Sequence, residues 1–334
     1  MRADGFASSP AEISEAVALL DGSPAYRGAL TAEVLRAARK TSAQAVEVEL
    51  DPRELARARP EAKAHPTLLG LLPSIAQGRI ERVDPATVEE SWRLSCPEGC
   101  ALDLLDRDPP AGAPSGAWSV RPPASRSIAW FAFDASRLDD PQLGGAGLAP
   151  LRERVEAVEK LLNRPIRGDL AQALSGTGIA ALEEREAGRP PRLLLALDLA
   201  RVDRARAVVD LLVSLAVVAG RGEVRRHRDV AYAVIGTPSR GAALAIDGRL
   251  LLLSDEPAAV TAAIDRRRSS GLPGTPPPSF AGFRGSWRAE RTVPSAVTAT
   301  LQREGVSWWL RGRGASPAVT ADPVLVALRA LSGR

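Results

Sequence analysis

"AIDGRLLLLSDEPAAVTAAIDRRRSS" (residues 245–270) decides how the chain is read. An Asp247-Gly248 pair between two apolar runs predicts a β-hairpin, because this dipeptide adopts the left-handed backbone of a tight two-residue turn. Leu250–Leu253 is then a strand. After it, Ser254 or Asp255 takes an N-cap position, and Pro257 falls in a first helical turn, where its missing N–H is not needed. Glu256 is favoured by the positive helix end. Val260, Ala263 and Ile264 supply an apolar face, and Arg266, Arg267 and Arg268 crowd the last turn, where cations are favoured. Catalytic groups also sit at strand ends, so SDEP invites reading as an active site. Capping accounts for each polar residue at its spacing, and we read a helix start.

Working outward, apolar runs at 230–236, 241–248 and 249–255 form a meander, with further strands at 285–291, 295–302 and 306–312. Strand clusters mixed with helices, without regular βαβ alternation, predict an α+β fold of largely antiparallel sheets packed with amphipathic helices.

Upstream, one grammar recurs in "AVEVELDPRELARARPE" (45–61), "SIAWFAFDASRLDDPQL" (127–143) and "RLLLALDLARVDRARAVVDLL" (192–212). A strand ends in Asp51, Asp134 or Asp198, and Leu55, Leu138 or Val202 follows after a short gap. Each aspartate is expected to accept hydrogen bonds from free N–H groups at the turn into its helix. We read at least two of these units as duplications. In 148–165, Leu151, Val155, Val158 and Leu162 share one helical face, Glu156 and Lys160 pair on the other, and Asn163 with Pro165 ends the helix. In 202–220 the buried stripe is Val202, Ala205, Val209, Leu212 and Ala216. A shorter helix over 167–176 has Asp169 as its cap.

The 334 residues are 45% apolar and 25% charged, the balance of a globular protein. The net charge is +4 and the pI about 9.5, supplied by arginine, since the lysines are Lys40, Lys63 and Lys160. Pro/Gly-rich stretches at 106–127 and 269–280 suggest an N-terminal α+β domain over 1–105, a linker over 106–125 and a second α+β domain over 126–334. The best membrane candidate, 207–220, is shorter than the roughly 20 apolar residues of a span and contains Asp210. With no export signal at Met1, the chain as it stands reads as soluble and cytoplasmic. A trimmed or misassigned start would make it periplasmic or envelope-associated.

Reactive constellations are scarce. His65 and His227 accompany no G-x-S-x-G elbow, and Ser175 in "ALSGTGIA" reads as a helix end. Asp139-Asp140 and Glu183-Glu184 read as solvated pairs, and "LGGAGLAP" (143–150) as a flexible connection. No catalytic, cofactor-binding or metal-ligating residue is assigned, and no cofactor is expected. Cys96 and Cys100 either meet across a tight turn as a disulfide or remain two reduced thiols. Basic clusters at 225–228, 266–268 and 308–314 are interleaved with acids, which disfavours nucleic acid. Trp130, Trp287, Trp308 and Trp309 are candidate contacts of a partner surface, with Arg311 and Arg313 beside the last two, and core packing is the ordinary role of each tryptophan taken singly.

From Arg126 to Arg268 the layout resembles a bacterial envelope-associated domain family that carries only a provisional domain-of-unknown-function label. The strand "SIAWFAFD", the helix into "IRGDLAQAL", "SGTGIAAL", "PRLLLALDLARVDRARAVVDLL", "VRRHRDVAYAVIG" and "AALAIDGRLLLLSDEPAAVTAAIDRRR" follow the family-like order. Asp229 stands where a glycine is expected. The resemblance implies no activity and transfers no site residue. The expectation is a non-catalytic scaffold, binding or interaction module whose partner is another protein or a second copy. The alternatives are a nucleic-acid-binding protein, or an enzyme built on Asp134 or Asp198.

Overall fold

The leucine run is a strand because both its faces are covered. In the computed structural model, which describes residues 35–42, 44–57, 74–84, 87–95, 115–123, 125–140, 145–183, 192–237, 240–270, 286–289, 297–304 and 307–314, Leu250 and Leu252 pack with Val260, Ala263 and Ile264. Leu251 and Leu253 pack on the opposite side with Ala205 and Val209. A strand covered on both sides has no wet face and therefore no polar alternation.

The strands are β1 (Leu35–Lys40), β2 (Ala45–Leu50), β3 (Ile75–Asp84), β4 (Thr87–Ser95), β5 (Ser125–Ala132), β6 (Leu174–Glu183), β7 (Arg192–Leu199), β8 (Gly222–His227), β9 (Val230–Thr237), β10 (Arg240–Asp247), β11 (Leu250–Ser254), β12 (Ser286–Ala289), β13 (Val297–Glu304) and β14 (Ser307–Gly314). The helices are α1 (Pro52–Arg57), α2 (Gly116–Ser119), α3 (Gly145–Leu162), α4 (Ile166–Ala173), α5 (Val202–Val218) and α6 (Pro257–Ser270), with a 3-10 turn at Ala135–Asp139. The fold is α+β. The strands lie in the order β1-β2-β3-β4-β14-β13-β12-β5-β6-β7-β11-β10-β9-β8. Each described pairing is antiparallel. β12, β13 and β14 come last in the chain yet lie between β4 and β5. One ladder therefore runs across the Pro/Gly-rich stretch. On β3, Gly78 sits opposite Trp92, whose buried ring fills the space a side chain would take.

Several local readings change. Part of the expected 106–125 linker is core: Ala117, Trp118 and Val120 are buried with Trp130 and Leu252. Composition favoured a loop, but an indole and a valine gain more by leaving water. In the hairpin, Asp247 pairs with Leu250 as the last strand residue. The two turn residues are thus Gly248 and Arg249, one position later than the Asp-Gly pair suggested. Gly248 has φ +56°, in the left-handed region that favours glycine, and the Arg267 guanidinium lies where a Cβ would stand. The glycines of 145–150 belong to α3 and not to a connection. Glycine weakens a helix by about 1 kcal/mol without forbidding it.

Asp169 does not cap α4. It pairs with Arg164 at 2.8 Å and Arg204 at 3.0 Å. The acceptor at the start of α4 comes from α3 instead: Glu159 takes the Arg167 N–H at 2.7 Å and its Nε at 3.0 Å. In α5, Ala205 and Val208 are buried, but Leu212, placed in the buried stripe by its spacing, is 37% exposed. The stripe holds through the first half of the helix and opens in the second.

Partial burial tends to raise the Glu159 carboxyl, but the hydrogen bonds and positive charge of Arg167 outweigh it and hold the group below its ordinary 4.5. A depressed carboxyl stabilises the fold fully above its unfolded value and loses that contribution as pH falls through the folded one. Glu159→Gln should therefore cost on the order of 1–2 kcal/mol at neutral pH. The difference from wild type should close well below pH 4.5 in urea-unfolding curves.

Candidate functional site

At one rim of the sheet β5 and β7 end, β6 begins, and the β8–β9 and β10–β11 hairpins turn. Polar side chains concentrate there. Asp198, at the end of β7, accepts from Ser115 Oγ at 2.7 Å, Thr177 Oγ1 at 2.9 Å and the Ala117 N–H at 3.0 Å. Ser175 Oγ lies 3.1 Å from Thr177 Oγ1. Ser115 in turn accepts from the Trp118 N–H at 3.2 Å and caps α2. Asp198 thus secures α2, not the helix that follows it. α5 starts at an N-cap Arg201 that makes no side-chain cap. A general base needs a lone pair directed at substrate. Here both carboxylate oxygens already accept from hydroxyls and an amide, and the chain of hydroxyls contains no imidazole.

The other two aspartates do serve their own turns. Asp51 accepts from the N–H groups of Arg53 at 2.9 Å and Glu54 at 3.2 Å and pairs with Arg36. Asp134 accepts from the Ser136 N–H at 3.0 Å and its hydroxyl at 2.6 Å. At the opposite rim, Ser254 accepts from the Glu256 N–H at 3.0 Å and donates to the Leu193 carbonyl at 2.6 Å. Asp255 takes the Leu193 N–H at 3.0 Å. α6 starts at Pro257, which puts Glu256, and not Ser254 or Asp255, in the N-cap position. SDEP still closes a strand and opens a helix, and Ser254 and Asp255 bind that junction to β7.

The structure joins two of the basic clusters. The turn after β8 meets the last turn of α6, and each partner brings acids. Asp265 lies 3.0 Å from His227 Nε2 and 2.7 Å from Arg228 Nε. Its carboxyl is held below the ordinary value by the His227 hydrogen bond and the Arg228 charge, against a smaller opposing effect of burial. Asp229 pairs with Arg268 at 2.8 Å, and that hydrogen bond lowers its carboxyl likewise. Asp247, 3% exposed, pairs with Arg267. Arg225 pairs with Glu223, and Arg266 Nε donates to the Val120 carbonyl at 2.8 Å. In the β8–β9 turn Arg228, not Asp229, takes the left-handed backbone, at φ +54°.

Beneath α5 runs a groove of about 450 Å³, walled by Val209, Val213, Val224, Leu244 and Ile246 and bordered by Arg206, Asp210, Asp229 and Arg268. Sequence reasoning missed it. The available signal was Val224, an apolar side chain in the otherwise charged strand 222–227. Around the groove and the second half of α5 stand Leu215 (37% exposed), Val217 (44%), Val218 (88%) and Val224 (59%).

The aromatic surface expected from Trp287, Trp308, Trp309, Arg311 and Arg313 maps to β12 and β14, with β13 between them. Trp309 is half-buried beneath the Arg311 guanidinium, 5.4 Å from the ring centroid. The side chains of Trp287, Trp308 and Arg313 lie outside the described residues, as do Cys96, Cys100 and His65 entirely. Trp130 is core, 1% exposed. No helix among the described residues is long and apolar enough to cross a membrane. Comparison with family models, with curated proteins and with solved structures gives no match.

If Asp198 is a structural acceptor, Asp198→Ala strands an amide and two hydroxyls and should cost about 2–4 kcal/mol in denaturant unfolding. Wild-type stability in that variant would return Asp198 to the pool of catalytic candidates.

Proposed function

We propose that the protein is a non-catalytic interaction module that binds a protein partner through the apolar end of α5, the adjoining groove and β8. The observation that carries this reading is the exposure of Leu215, Val217, Val218 and Val224 on neighbouring elements. Apolar side chains grouped on a surface favour removal from water by a partner. The use of Asp51, Asp134, Asp198, Ser254 and Asp255 as backbone acceptors supports the non-catalytic part of the reading. The resemblance over 126–268 adds no active residue and accords with such a role.

Nucleic acid is the weaker reading. Phosphate binding draws on basic groups able to displace counterions, whereas Arg225, Arg228, Arg267 and Arg268 each already face a carboxylate.

The test compares proteins cross-linked to the wild-type chain in its native cells with those retained by Val218→Asp. The substitution lies on an exposed position in the last turn of the helix, where a negative charge should cost no more than about 1 kcal/mol. Loss of specific partners from the variant is expected. The same set retained by both, or a salt-sensitive gel shift with nucleic acid, would remove this reading.

A further inference from the structure

We propose that the surface at β8 receives a second copy of this chain, through antiparallel pairing of β8 with β8 about a two-fold axis normal to the sheet. The inference rests on the interaction-module reading and names its partner. β8 ends the described sheet order. The Gly236 N–H donates to the Arg221 carbonyl at 2.7 Å, and the ladder continues from Gly222↔Ile235 to His227↔Val230. Hydrogen-bonded and non-hydrogen-bonded pairs alternate in an antiparallel ladder. Glu223, Arg225 and His227 therefore turn their backbone groups toward β9. Gly222, Val224 and Arg226 turn theirs to the open edge, where another strand can pair with them.

Charge selects the register. A two-fold that keeps the sheet faces requires same-face residues to lie opposite one another. With Val224 facing the second copy's Val224, Glu223 lies opposite the second copy's Arg225, and by symmetry Arg225 lies opposite its Glu223. Sliding by one side-chain period in either direction puts Glu223 against Glu223 or Arg225 against Arg225. Opposite charges across a ladder stabilise it and like charges destabilise it. The strand is thus self-complementary in one register and self-repelling in its neighbours.

The apolar pattern agrees with that register. Val224 pairs with Ala233, Ala233 with Leu244 and Leu244 with Leu253, a row on the α5 side of the sheet. The exposed valine thus meets its copy on the side that carries Val217 and Val218, and an isologous contact would extend both apolar surfaces. The opposite edge, β1, reads LRAARK, with three cations and no acid. Such a strand has no acid to set opposite its own cations, and cationic side chains are a usual protection of a sheet edge. β8 lacks that protection against itself.

Sedimentation velocity of the full chain, over loadings from about 1 to 100 μM, in the affinity range of modest interfaces, tests the pairing. The wild type should show a monomer–dimer equilibrium. Glu223→Arg and Arg225→Glu should each weaken it about tenfold, since each change acts twice in a two-fold interface. The double swap E223R/R225E should restore it, with circular dichroism unchanged throughout. A wild type that is monomeric at all loadings overturns the inference, as does a dimer indifferent to the single changes or not restored by the double. A monomer that still loses cross-linked partners on Val218→Asp sinks the second copy alone. A monomer with an unchanged partner set sinks the interaction module as well.

Discussion

The carboxylate of Asp198 joins pieces of chain that are distant in sequence: β7, which carries it, Thr177 on β6, and Ser115 and Ala117 at the start of α2. α2 has four residues, far too few to hold helical geometry alone, because nucleating a helix fixes several residues for each early hydrogen bond. It persists because Asp198 and Ser115 satisfy its first N–H groups, while Arg266 grips the Val120 carbonyl at the far end. Held at both ends, Trp118 and Val120 fill the space between the sheet and α6. That core depends on a segment whose composition alone favours a loop.

Covering β7, β11 and β10 on both faces constrains the path of the chain. α2 and α6 lie on one side, α4 and α5 on the other. To pass from β7 to β8 at the sheet edge, α5 crosses over β11, β10 and β9, the strands between them. Its first half lies over the leucines of β7 and β11 and is buried. Its second half reaches the edge, where fewer strands lie beneath it, and its leucines and valines stay exposed. The groove beside Val224 results from the same crossing. The connection that completes the core therefore also makes the most apolar exposed surface.

How much of this was legible depends on where the partner of each group lies. Asp51 and Asp134 bond amides two or three residues away, so local spacing identified them as turn acceptors. Asp198 has the same spacing, but the amide it binds is 81 residues earlier in the chain, and no local pattern reports that. The hairpin at 247–250 was visible from its glycine, whereas the one-residue offset came from pairing Asp247 with Leu250. Periodicity placed Leu212 in a buried stripe because it measures the angle around a helix and not where the sheet beneath it stops. The SDEP stretch was legible as a helix start, while its second role, binding β7 at Leu193, required the tertiary fold.

The two rim hairpins show why the basic clusters add little to the outer surface. Both turn through two residues, with Gly248 in the left-handed position of one and Arg228 in that of the other. A side chain there costs roughly 1–2 kcal/mol, and Arg228 is held in place by Asp265, which also meets His227. The same turn of α6 supplies Arg267 to Asp247 and Arg268 to Asp229. Acids and bases of 225–229 and 265–268 thus clamp the hairpins to the helix that crosses them. Charges matched within the molecule exert a weak field beyond it, screened further by salt. Among the described residues, this end of the molecule therefore presents the apolar side chains of α5 and β8 beside charges that already face their opposites.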